Sequence, residues 1–250
     1  MQIPPFSHPH PIRKLLSAVS GLPSQCLLCK APTRGKPLCI DCHATFPWNA
    51  RCCQYCALPL EADSGPCSEC MDSRPIVSET TCVFQYKAPC NTLLNRFKHD
   101  GQLEYGHLLA GFLADTLIQK RESEQAPWPD ALLPVPLHWR RLRGRGFNQS
   151  LEIAKVLSRR LGLPICHHLR RQLPTTSQQQ LRRSERQNNL EDAFALAQPI
   201  PYRHVALVDD VMTTGSTVNA IARHLIAHGV LSIRVWAIAR TPQQMPTLQS

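Results

Sequence analysis

Two adjacent carboxylates, Asp209 and Asp210, are the strongest candidates for chemistry in this 250-residue sequence. They stand in VALVDDVMTTGST, residues 205–217, between an aliphatic run and a turn of Thr, Gly and Ser. The run VALV predicts a buried strand, and we expect a helix to begin near Ser216. Ligands of parallel sheets bind at the carboxyl ends of the strands, so both acids are predicted to face a ligand there.

The residues that follow the two acids predict an anion site. If residues 211–215 form a tight loop, its N–H groups and those of the helix start can bind a phosphate. Gly215 lets the chain approach the ligand closely. The hydroxyl donors around it are Thr213, Thr214, Ser216 and Thr217. A phosphate in this loop would place a sugar above the strand end, where the carboxylates can accept hydrogen bonds from two vicinal hydroxyls of a ribose.

Positive charge is concentrated in one segment of the chain. The formal net charge is +10, and residues 138–186 contain 12 Lys/Arg against 2 Asp/Glu. The rest of the chain holds 16 residues of each sign, so the whole surplus lies in this segment. One interpretation is a solvated basic surface, and the other is a site for the phosphates of a small ligand or of a nucleic acid.

Eight of the 12 cysteines form four CxxC pairs. Two such pairs complete a tetrahedral four-thiolate shell of the kind that Zn2+ favours, so the spacing predicts two zinc sites. The predicted ligands are Cys26, Cys29, Cys39, Cys42, Cys53, Cys56, Cys67 and Cys70. Neighbouring pairs can share a metal, or the first pair can share one with the third; Cys52 is spare in both arrangements. A closed shell predicts a structural role, with a surface for DNA or a partner protein, or redox sensing, as alternatives.

Apolar periodicity predicts alternating strands and helices after the cysteines. Strands are predicted over TTCVFQYKAP, ALLPVPL, HVALV and SIRVWAIA, and helices over NTLLNRFKHDG, GHLLAGFLADTLIQKR, the segment after RGFNQS and STVNAIARHLIAHG. The third helix is expected to turn Leu151, Ala154, Leu157 and Leu161 inward and to stop at Gly162. This alternation predicts an α/β fold, a mostly parallel sheet with helices on both faces.

The predicted organisation has four parts. A flexible extension is expected over 1–22, a small double zinc ribbon over 23–75, the α/β domain over 76–242 and a tail over 243–250. The polar stretch 173–194 is the expected mobile loop. No apolar stretch approaches the roughly 18 residues of a membrane span, and the N-terminus makes a poor signal peptide, so we expect a cytoplasmic protein.

Several of these motifs carry a family resemblance. VALVDDVMTTGST resembles the phosphoribosyl pyrophosphate (PRPP) loop of type I phosphoribosyltransferases. Together with the four CxxC pairs, FKHDG, PVPLHWRRLRGRGFNQS and TTSQQQLRRSERQNNLEDAF, it is similar to the ComF family of phosphoribosyltransferase-like proteins of competence and DNA uptake. The similarity covers roughly residues 26–240. It looks closest to the enterobacterial members tied to use of external DNA as a nutrient and, under an older name, to gluconate utilization.

The resemblance implies a type I phosphoribosyltransferase-like domain and a role for each motif. Asp209 and Asp210 would hold the ribose hydroxyls, and residues 213–217 would bind the 5′-phosphate. Mg2+ would come with the diphosphate, held mainly by ligand oxygens and water. The candidates for binding pyrophosphate or a DNA backbone are Arg140, Arg141 and Arg145. Asn148 and Gln149 either orient a base or cap the next helix, and Lys98 is expected to be exposed rather than bound to a phosphate.

The function implied by the resemblance is DNA uptake, or use of extracellular DNA, with a PRPP-type pocket and a basic surface for single-stranded DNA. Proteins of the DNA-uptake machinery are expected partners, and Trp139 and Phe147 are the aromatic candidates for stacking on bases. One alternative is a conventional nucleotide-salvage phosphoribosyltransferase. A second alternative is a zinc-ribbon regulator that binds nucleic acid and senses a nucleotide. Whether the pocket catalyses transfer from PRPP is left open by the sequence.

Overall fold

The computed structural model describes residues 24–61, 65–123, 127–171 and 193–242. The predicted extension, the tail and most of the predicted mobile loop at 173–194 lie outside the described residues. None of the helices in the described ranges combines the length and the apolar character that a bilayer span needs.

By its packing the chain divides between Phe46 and Pro47 into two compact units. The first unit contains strands β1 (Ser24–Gln25) and β2 (Pro32–Thr33), which pair antiparallel, and the short helix α1 (Ile40–Ala44). The second unit begins with the third CxxC pair and helix α2 (Ser68–Asp72) and then contains the whole main sheet. The predicted boundaries at 22, 75 and 242 stay predictions.

The main sheet of the second unit has four strands: β3 (Glu79–Gln85), β4 (Ala131–Pro134), β7 (His204–Met212) and β8 (Ser232–Arg240). Their order is β3-β8-β7-β4, and every neighbouring pair is parallel. A short antiparallel pair, β5 (Leu169–Arg171) and β6 (Phe194–Leu196), lies apart from it. The predicted parallel sheet is therefore confirmed.

Helices cover the sheet because its strands are apolar on both faces. The helices that follow α2 in the described residues are α3 (Cys90–His99), α4 (Leu103–Ser123), α5 (Trp139–Arg145), α6 (Gln149–Leu161) and α7 (Ser216–Ala227), of which α4, α6 and α7 contact the sheet. Val218, Ile221 and Leu225 of α7 pack in one core with Val205 and Leu207 of β7. Helices α4 and α6 pack on each other and on the sheet. Since successive strand residues point to opposite faces, Ala206 and Val208 are left for the second face, where they are buried.

Strand β7 runs further than the sequence predicted. Val211 and Met212, which we expected in a loop, pair with Ala239 and Arg240 of β8. The neighbouring strand continues to Arg240 and offers backbone partners that a single-sequence pattern cannot show. As a result the two acids lie inside the strand, and only residues 213–215 remain between β7 and α7.

Helix α6 confirms one predicted boundary and corrects its inward face. It ends at Gly162, which has a left-handed φ of 72°. Leu151 is only partly buried, whereas Ile153 and Val156 are buried beside the predicted Ala154, Leu157 and Leu161. The face is wider than predicted because the helix packs on both the sheet and α4.

Candidate functional site

A polar cleft of about 210 Å3 lies at the carboxyl ends of β4 and β7. Four basic and two acidic side chains line it, together with an amide, hydroxyls and the turn after β4. The lining residues are Lys98, Val135, Pro136, Leu137, Arg141, Arg145, Gln149, Ser150, Arg171, Asp209, Asp210 and Thr217. The basic surplus and the paired acids give this cleft the character of a site for an anionic, hydroxyl-bearing ligand.

Asp209 is held rigidly at the bottom of the cleft. Its Oδ1 accepts hydrogen bonds from the hydroxyl of Ser150 at 3.0 Å and from the backbone N–H of Asp210 at 2.9 Å. Burial, and then the negative charge of Asp210, raise the pKa of Asp209 to about 7. Near neutral pH this side chain can therefore donate as well as accept a hydrogen bond.

Lys98 is a site residue, which contradicts the expectation of an exposed lysine. Its Nζ lies 3.0 Å from Oδ2 of Asp210, and its side chain is only 16% exposed. The amphipathic pattern of α3 places it near the end of that helix but cannot show that this end faces β7. The ammonium group of the lysine pairs with the carboxylate of Asp210 and so offsets negative charge beside Asp209.

The predicted arginines divide into two groups. Arg141 and Arg145 line the cleft, whereas Arg140 is exposed and lies over the ring of Trp139, 5.4 Å from its centroid. All three lie on α5, a helix that begins after His138, whose Nδ1 accepts from the N–H of Arg140 at 3.3 Å. The segment that contains the three candidates for binding pyrophosphate or DNA thus forms a short helix.

Arg171 is a cleft residue that sequence reasoning missed. It ends β5, and burial, followed by repulsion from Arg141, lowers the pKa of its guanidinium. Its only sequence signal was its membership of the basic segment 138–186. Strand pairing with β6 orders this end of the segment beside the cleft.

Asn148 and Gln149 turn out to have different roles. Asn148 caps α6, because its side-chain oxygen accepts from the N–H groups of Ser150 and Leu151, at 3.0 and 3.4 Å. Gln149 is only 1% exposed and lines the cleft, and its Nε2 has no hydrogen-bond partner among the described residues. A buried amide without a partner is costly, so Gln149 is well placed to donate to a bound ligand.

The predicted anion loop keeps an open helix end. Gly215 precedes α7 with φ 75°, and a Cβ there would lie 3.1 Å from the terminal methyl of Met212. Glycine has no side chain to cap the helix, which leaves N–H groups of the first turn for an anion. Thr213, Thr214 and Ser216 are exposed, and of the loop residues it is Thr217 that lines the cleft.

The cysteines form two tetrads, each made of pairs that are neighbours in sequence. The first tetrad is Cys26, Cys29, Cys39 and Cys42, and the second is Cys53, Cys56, Cys67 and Cys70. Within each tetrad the ligand atoms all lie within 4.8 Å of one another, so each could hold a metal ion. The crossed pairing is thereby excluded, and Cys52 belongs to neither tetrad.

Backbone N–H groups favour a thiolate at one cysteine of each tetrad, whereas burial and the neighbouring cysteines raise the pKa of Cys42, Cys56 and Cys70. Burial raises the pKa of Cys26, but hydrogen bonds from backbone N–H groups outweigh it and lower the value to about 6. The same balance lowers the pKa of Cys53 to about 7, and the N–H of Cys67 lies 3.3 Å from its sulfur. A thiolate is the form that coordinates metal.

Comparison with known proteins agrees with this geometry. Residues 148–247 match the family profile of the phosphoribosyl transferase domain. The DNA utilization protein YhgH of Salmonella typhi is 33% identical over 223 residues, covering 88% of this chain and 98% of that protein. Competence protein F of Haemophilus influenzae is 35% identical over 210 residues, covering 81% of this chain and 90% of that protein.

Among solved structures, hypoxanthine phosphoribosyltransferase from Trypanosoma cruzi aligns with 56% of this chain and 76% of its own, at 13% identity. Its TM-score of 0.35 is too low for that likeness to carry an argument. The family therefore rests on the two relatives, which match over most of their length, and on the phosphoribosyl transferase profile. This chain belongs to the ComF family of phosphoribosyltransferase-like competence and DNA-utilization proteins.

Proposed function

We propose that this chain acts in the uptake or use of external DNA, with a pocket for PRPP or a related phosphoribosyl ligand and a basic surface for single-stranded DNA. The observation that carries the proposal is the cleft, in which Asp209 and Asp210 lie with four basic side chains and the unpartnered amide of Gln149. The names of the relatives support the DNA-related role.

Each part of the cleft suits one part of a phosphoribosyl diphosphate. Asp209 and Asp210 accept from the ribose hydroxyls, and the open N-terminus of α7 with Thr217 receives the 5′-phosphate. Arg141, Arg145 and Arg171 meet the diphosphate, because a guanidinium fork matches two phosphate oxygens. Mg2+ arrives with the diphosphate and is held chiefly by ligand oxygens and water. If transfer follows, these groups neutralise the leaving diphosphate.

Lys98 is displaced from Asp210 in this proposal. When the ribose hydroxyls approach that carboxylate, the ammonium group at 3.0 Å can turn toward a phosphate oxygen instead. The net positive charge of the cleft then offsets the negative charge of the incoming diphosphate.

The DNA surface is proposed on α5. Trp139 is 55% exposed and Leu142 is 42% exposed, and both lie among the arginines of this helix. Exposed aromatic faces and arginines are the combination that binds single strands without strong sequence preference. Phe147 packs instead on Phe97, with ring centroids 5.3 Å apart, which leaves Trp139 as the stacking side chain.

The two tetrads are proposed to bind one structural Zn2+ each. All-sulfur tetrahedral shells suit zinc and leave no open position for a substrate. We propose that the protein works in the cytoplasm, where imported single strands arrive, together with proteins of the uptake machinery.

Calorimetric titration of the zinc-loaded protein with PRPP and Mg2+ tests the pocket. Asp209→Asn with Asp210→Asn should weaken PRPP binding at least about 100-fold, because two charge-assisted hydrogen bonds are lost. The matched control is Asp115→Asn, which removes a carboxylate that pairs with Arg160 on the helix surface. Unchanged PRPP affinity in the double variant, with zinc retained, would refute the assignment of the acids.

The same titration with single-stranded DNA tests the basic surface. Changing Arg140, Arg141 and Arg145 to Ala should lower the slope of log K against log salt by about 2, since each lost phosphate contact contributes about 0.7. Three exposed arginines away from α5 provide a control with the same charge change: Arg34, Arg159 and Arg203. Equal slopes in the two triple variants would contradict a DNA site on α5. Turnover of PRPP with free bases, without DNA binding, would favour a nucleotide-salvage transferase.

A further inference from the structure

Arg240 joins the second cysteine tetrad to the loop after β7. It is the last residue of β8 and is only 8% exposed. Its Nε donates to the carbonyl of Cys56 at 2.9 Å. Its Nη1 donates to the carbonyls of Met212, at 3.3 Å, and of Thr213. One guanidinium thus binds the backbone of a tetrad residue and the backbone where the anion loop begins.

In the described part of the chain, the hydrogen bonds of the Arg240 guanidinium go to uncharged acceptors. These acceptors are carbonyl oxygens and the hydroxyl of Thr241. A nearly buried cation needs these oxygens, because leaving its donors unsatisfied away from water is costly. If the carbonyl on one side moves away, the guanidinium must move as well and its bonds on the other side change.

Carbonyls of the CxxC turn at residues 53–56, and of the residue after it, bind groups of the sheet unit. The carbonyl of Gln54 accepts from the N–H of Thr80 at 3.1 Å, and that of Tyr55 accepts from the hydroxyl of Thr80 at 2.6 Å. The carbonyl of Ala57 accepts from the side chain of Asn49 at 2.9 Å. With Arg240 on Cys56, consecutive carbonyls over residues 54–57 all bind groups outside the turn.

A bound metal would hold this turn in place. The thiols of Cys53 and Cys56 belong to the same tetrad as Cys67 and Cys70, so a metal there closes the turn on which Arg240 depends. The loop at the other end of Arg240 starts with Thr213, which is exposed and leads into the glycine turn before α7. The loop has further local bonds: the hydroxyls of Thr214 and Ser216 lie 2.8 Å apart, and the carbonyl of Met212 also accepts from the N–H of Thr241 at 3.0 Å.

We propose that Arg240 is a positioning residue, through which the second tetrad holds the phosphate loop of residues 213–217 in its binding conformation. The expected effect on ligand binding rests on the proposed phosphoribosyl function, whereas the effect on the loop conformation does not. Lysine cannot replace the arginine, because a single ammonium group cannot reach the Cys56 carbonyl and the Met212 and Thr213 carbonyls together. The first tetrad lies in the other compact unit, Met1–Phe46.

The test is Arg240→Lys, with Arg234→Lys as its matched control. Arg234 lies on the same strand, is 6% exposed and pairs with Glu79 instead of the loop. Hydrogen exchange of the ligand-free, zinc-loaded protein should become at least tenfold faster over residues 212–217 in Arg240→Lys and should not change there in Arg234→Lys. Equal protection of residues 212–217 in Arg240→Lys and the wild type would overturn the proposal.

Ligand affinities separate a positioning role from a general loss of structure. Arg240→Lys should weaken binding of ribose 5-phosphate at least tenfold while pyrophosphate, which meets the cleft arginines, binds within twofold of the wild type. A parallel loss of both ligands would mean that the arginine only stabilises the fold. If the wild type binds neither ligand, the proposed function fails, and the exchange measurement still decides whether Arg240 holds the loop.

The metal link is tested with Cys70→Ser and Cys42→Ser, each the last ligand of its tetrad. Exchange over residues 212–217 should rise in Cys70→Ser and stay at the wild-type rate in Cys42→Ser. A rise in both, or in neither, contradicts a path from the second tetrad to the loop. If Cys70→Ser does not fold, a chelator titration of Cys42→Ser removes zinc from the second tetrad, with loss of protection over residues 212–217 expected as that metal leaves.

Discussion

The two cysteine tetrads share a motif but differ in what surrounds them. In the first tetrad Cys26 is buried, Cys29 is exposed, and Cys39 and Cys42 are partly exposed, and the described residues of their unit form two short strands and one short helix. In the second tetrad Cys53, Cys67 and Cys70 are buried, and Leu58, Leu60 and Tyr55 pack with them. The same four-thiolate chemistry therefore fixes a small unit in one case and a turn bound to the main sheet in the other.

This difference shows that ligand spacing alone does not determine the role of a metal site. Spacing predicts that a metal can bind, whereas hydrogen bonds from the backbone of the turn decide what else the metal holds. In the first tetrad the carbonyl of Cys42 accepts from the hydroxyl of exposed Thr45 at 2.8 Å. In the second, carbonyls of the first CxxC turn and of the residue after it accept from Asn49, Thr80 and Arg240 of the sheet unit.

The largest expected effect is on thermal stability, when one cysteine of a tetrad is replaced in each of two separate variants. Cys70→Ser and Cys42→Ser should each release one zinc, measured by elemental analysis. Cys70→Ser should lower the melting temperature of the sheet unit by roughly 10 °C or more, because several kcal/mol are lost from a unit of this size. Cys42→Ser should change that melting temperature by less than about 3 °C. Near-ultraviolet circular dichroism follows the packing of Trp128 on Trp236 in the sheet unit. Similar shifts in both variants would remove the distinction between the tetrads.

A second, smaller effect is the pH dependence that Asp209 gives to the unfolding free energy of the sheet unit. Its pKa of about 7 in the fold exceeds the ordinary 3.8, so the folded state binds the proton more tightly than the unfolded state. The stabilisation is complete below pH 4 and is lost as pH rises through 7, which amounts to on the order of 2 kcal/mol between pH 5 and pH 7. Asp209→Asn should remove this dependence.

Urea unfolding at several pH values measures the difference between the wild type and Asp209→Asn. The same difference should persist in a Cys42→Ser background and shrink in a Cys70→Ser background, where the end of β7 is less firmly held. A pH dependence that is insensitive to Asp209→Asn would show that the acid is not buried as described. A dependence that disappears with Cys42→Ser would instead link the first tetrad to the cleft.

Local patterns in the sequence were enough for the tetrads and for most of the sheet. A CxxC pair is a local motif, so spacing predicted the eight cysteines of the tetrads but left open which pairs join, and the structure joins neighbours in sequence. Apolar runs predicted the central strands, because a strand covered on both faces is apolar at nearly every position. The end of α6 at Gly162 could also be predicted from local sequence, because the left-handed conformation at a helix end favours glycine.

The rest of the site depends on contacts that no local pattern encodes. Lys98, Ser150 and Arg171 reach the cleft from three elements that only the packing of the unit brings to the end of β7. The sequence pattern predicts the strand that Arg240 ends but gives no sign of a special role for this residue. Its bonds to Cys56 and Thr213 join residues far apart in the chain. The extra length of β7 likewise comes from the ladder that β8 provides.

The smallest expected effect comes from removing one side-chain hydrogen bond beside each tetrad. Thr80 is 2% exposed, and its hydroxyl donates to the carbonyl of Tyr55, inside the turn of the second tetrad. Thr80→Val keeps the shape of the side chain and leaves that carbonyl without its donor, so the unfolding free energy should fall by about 1–2 kcal/mol. Thr45→Val makes the same change at the carbonyl of Cys42, where water can replace the lost donor, and should cost less than about 0.5 kcal/mol.

Urea unfolding of the sheet unit, with zinc bound, measures the Thr80→Val effect, and exchange of the turn at residues 53–57 shows where it acts. Faster exchange in that turn is expected in Thr80→Val and not in Thr45→Val, because Thr45 lies in the other unit. Equal costs for the two substitutions would mean that the second tetrad is no better attached to its surroundings than the first. A cost confined to Thr80→Val would show that the carbonyls of the turn, and not its thiols alone, connect the second tetrad to the sheet that carries the cleft.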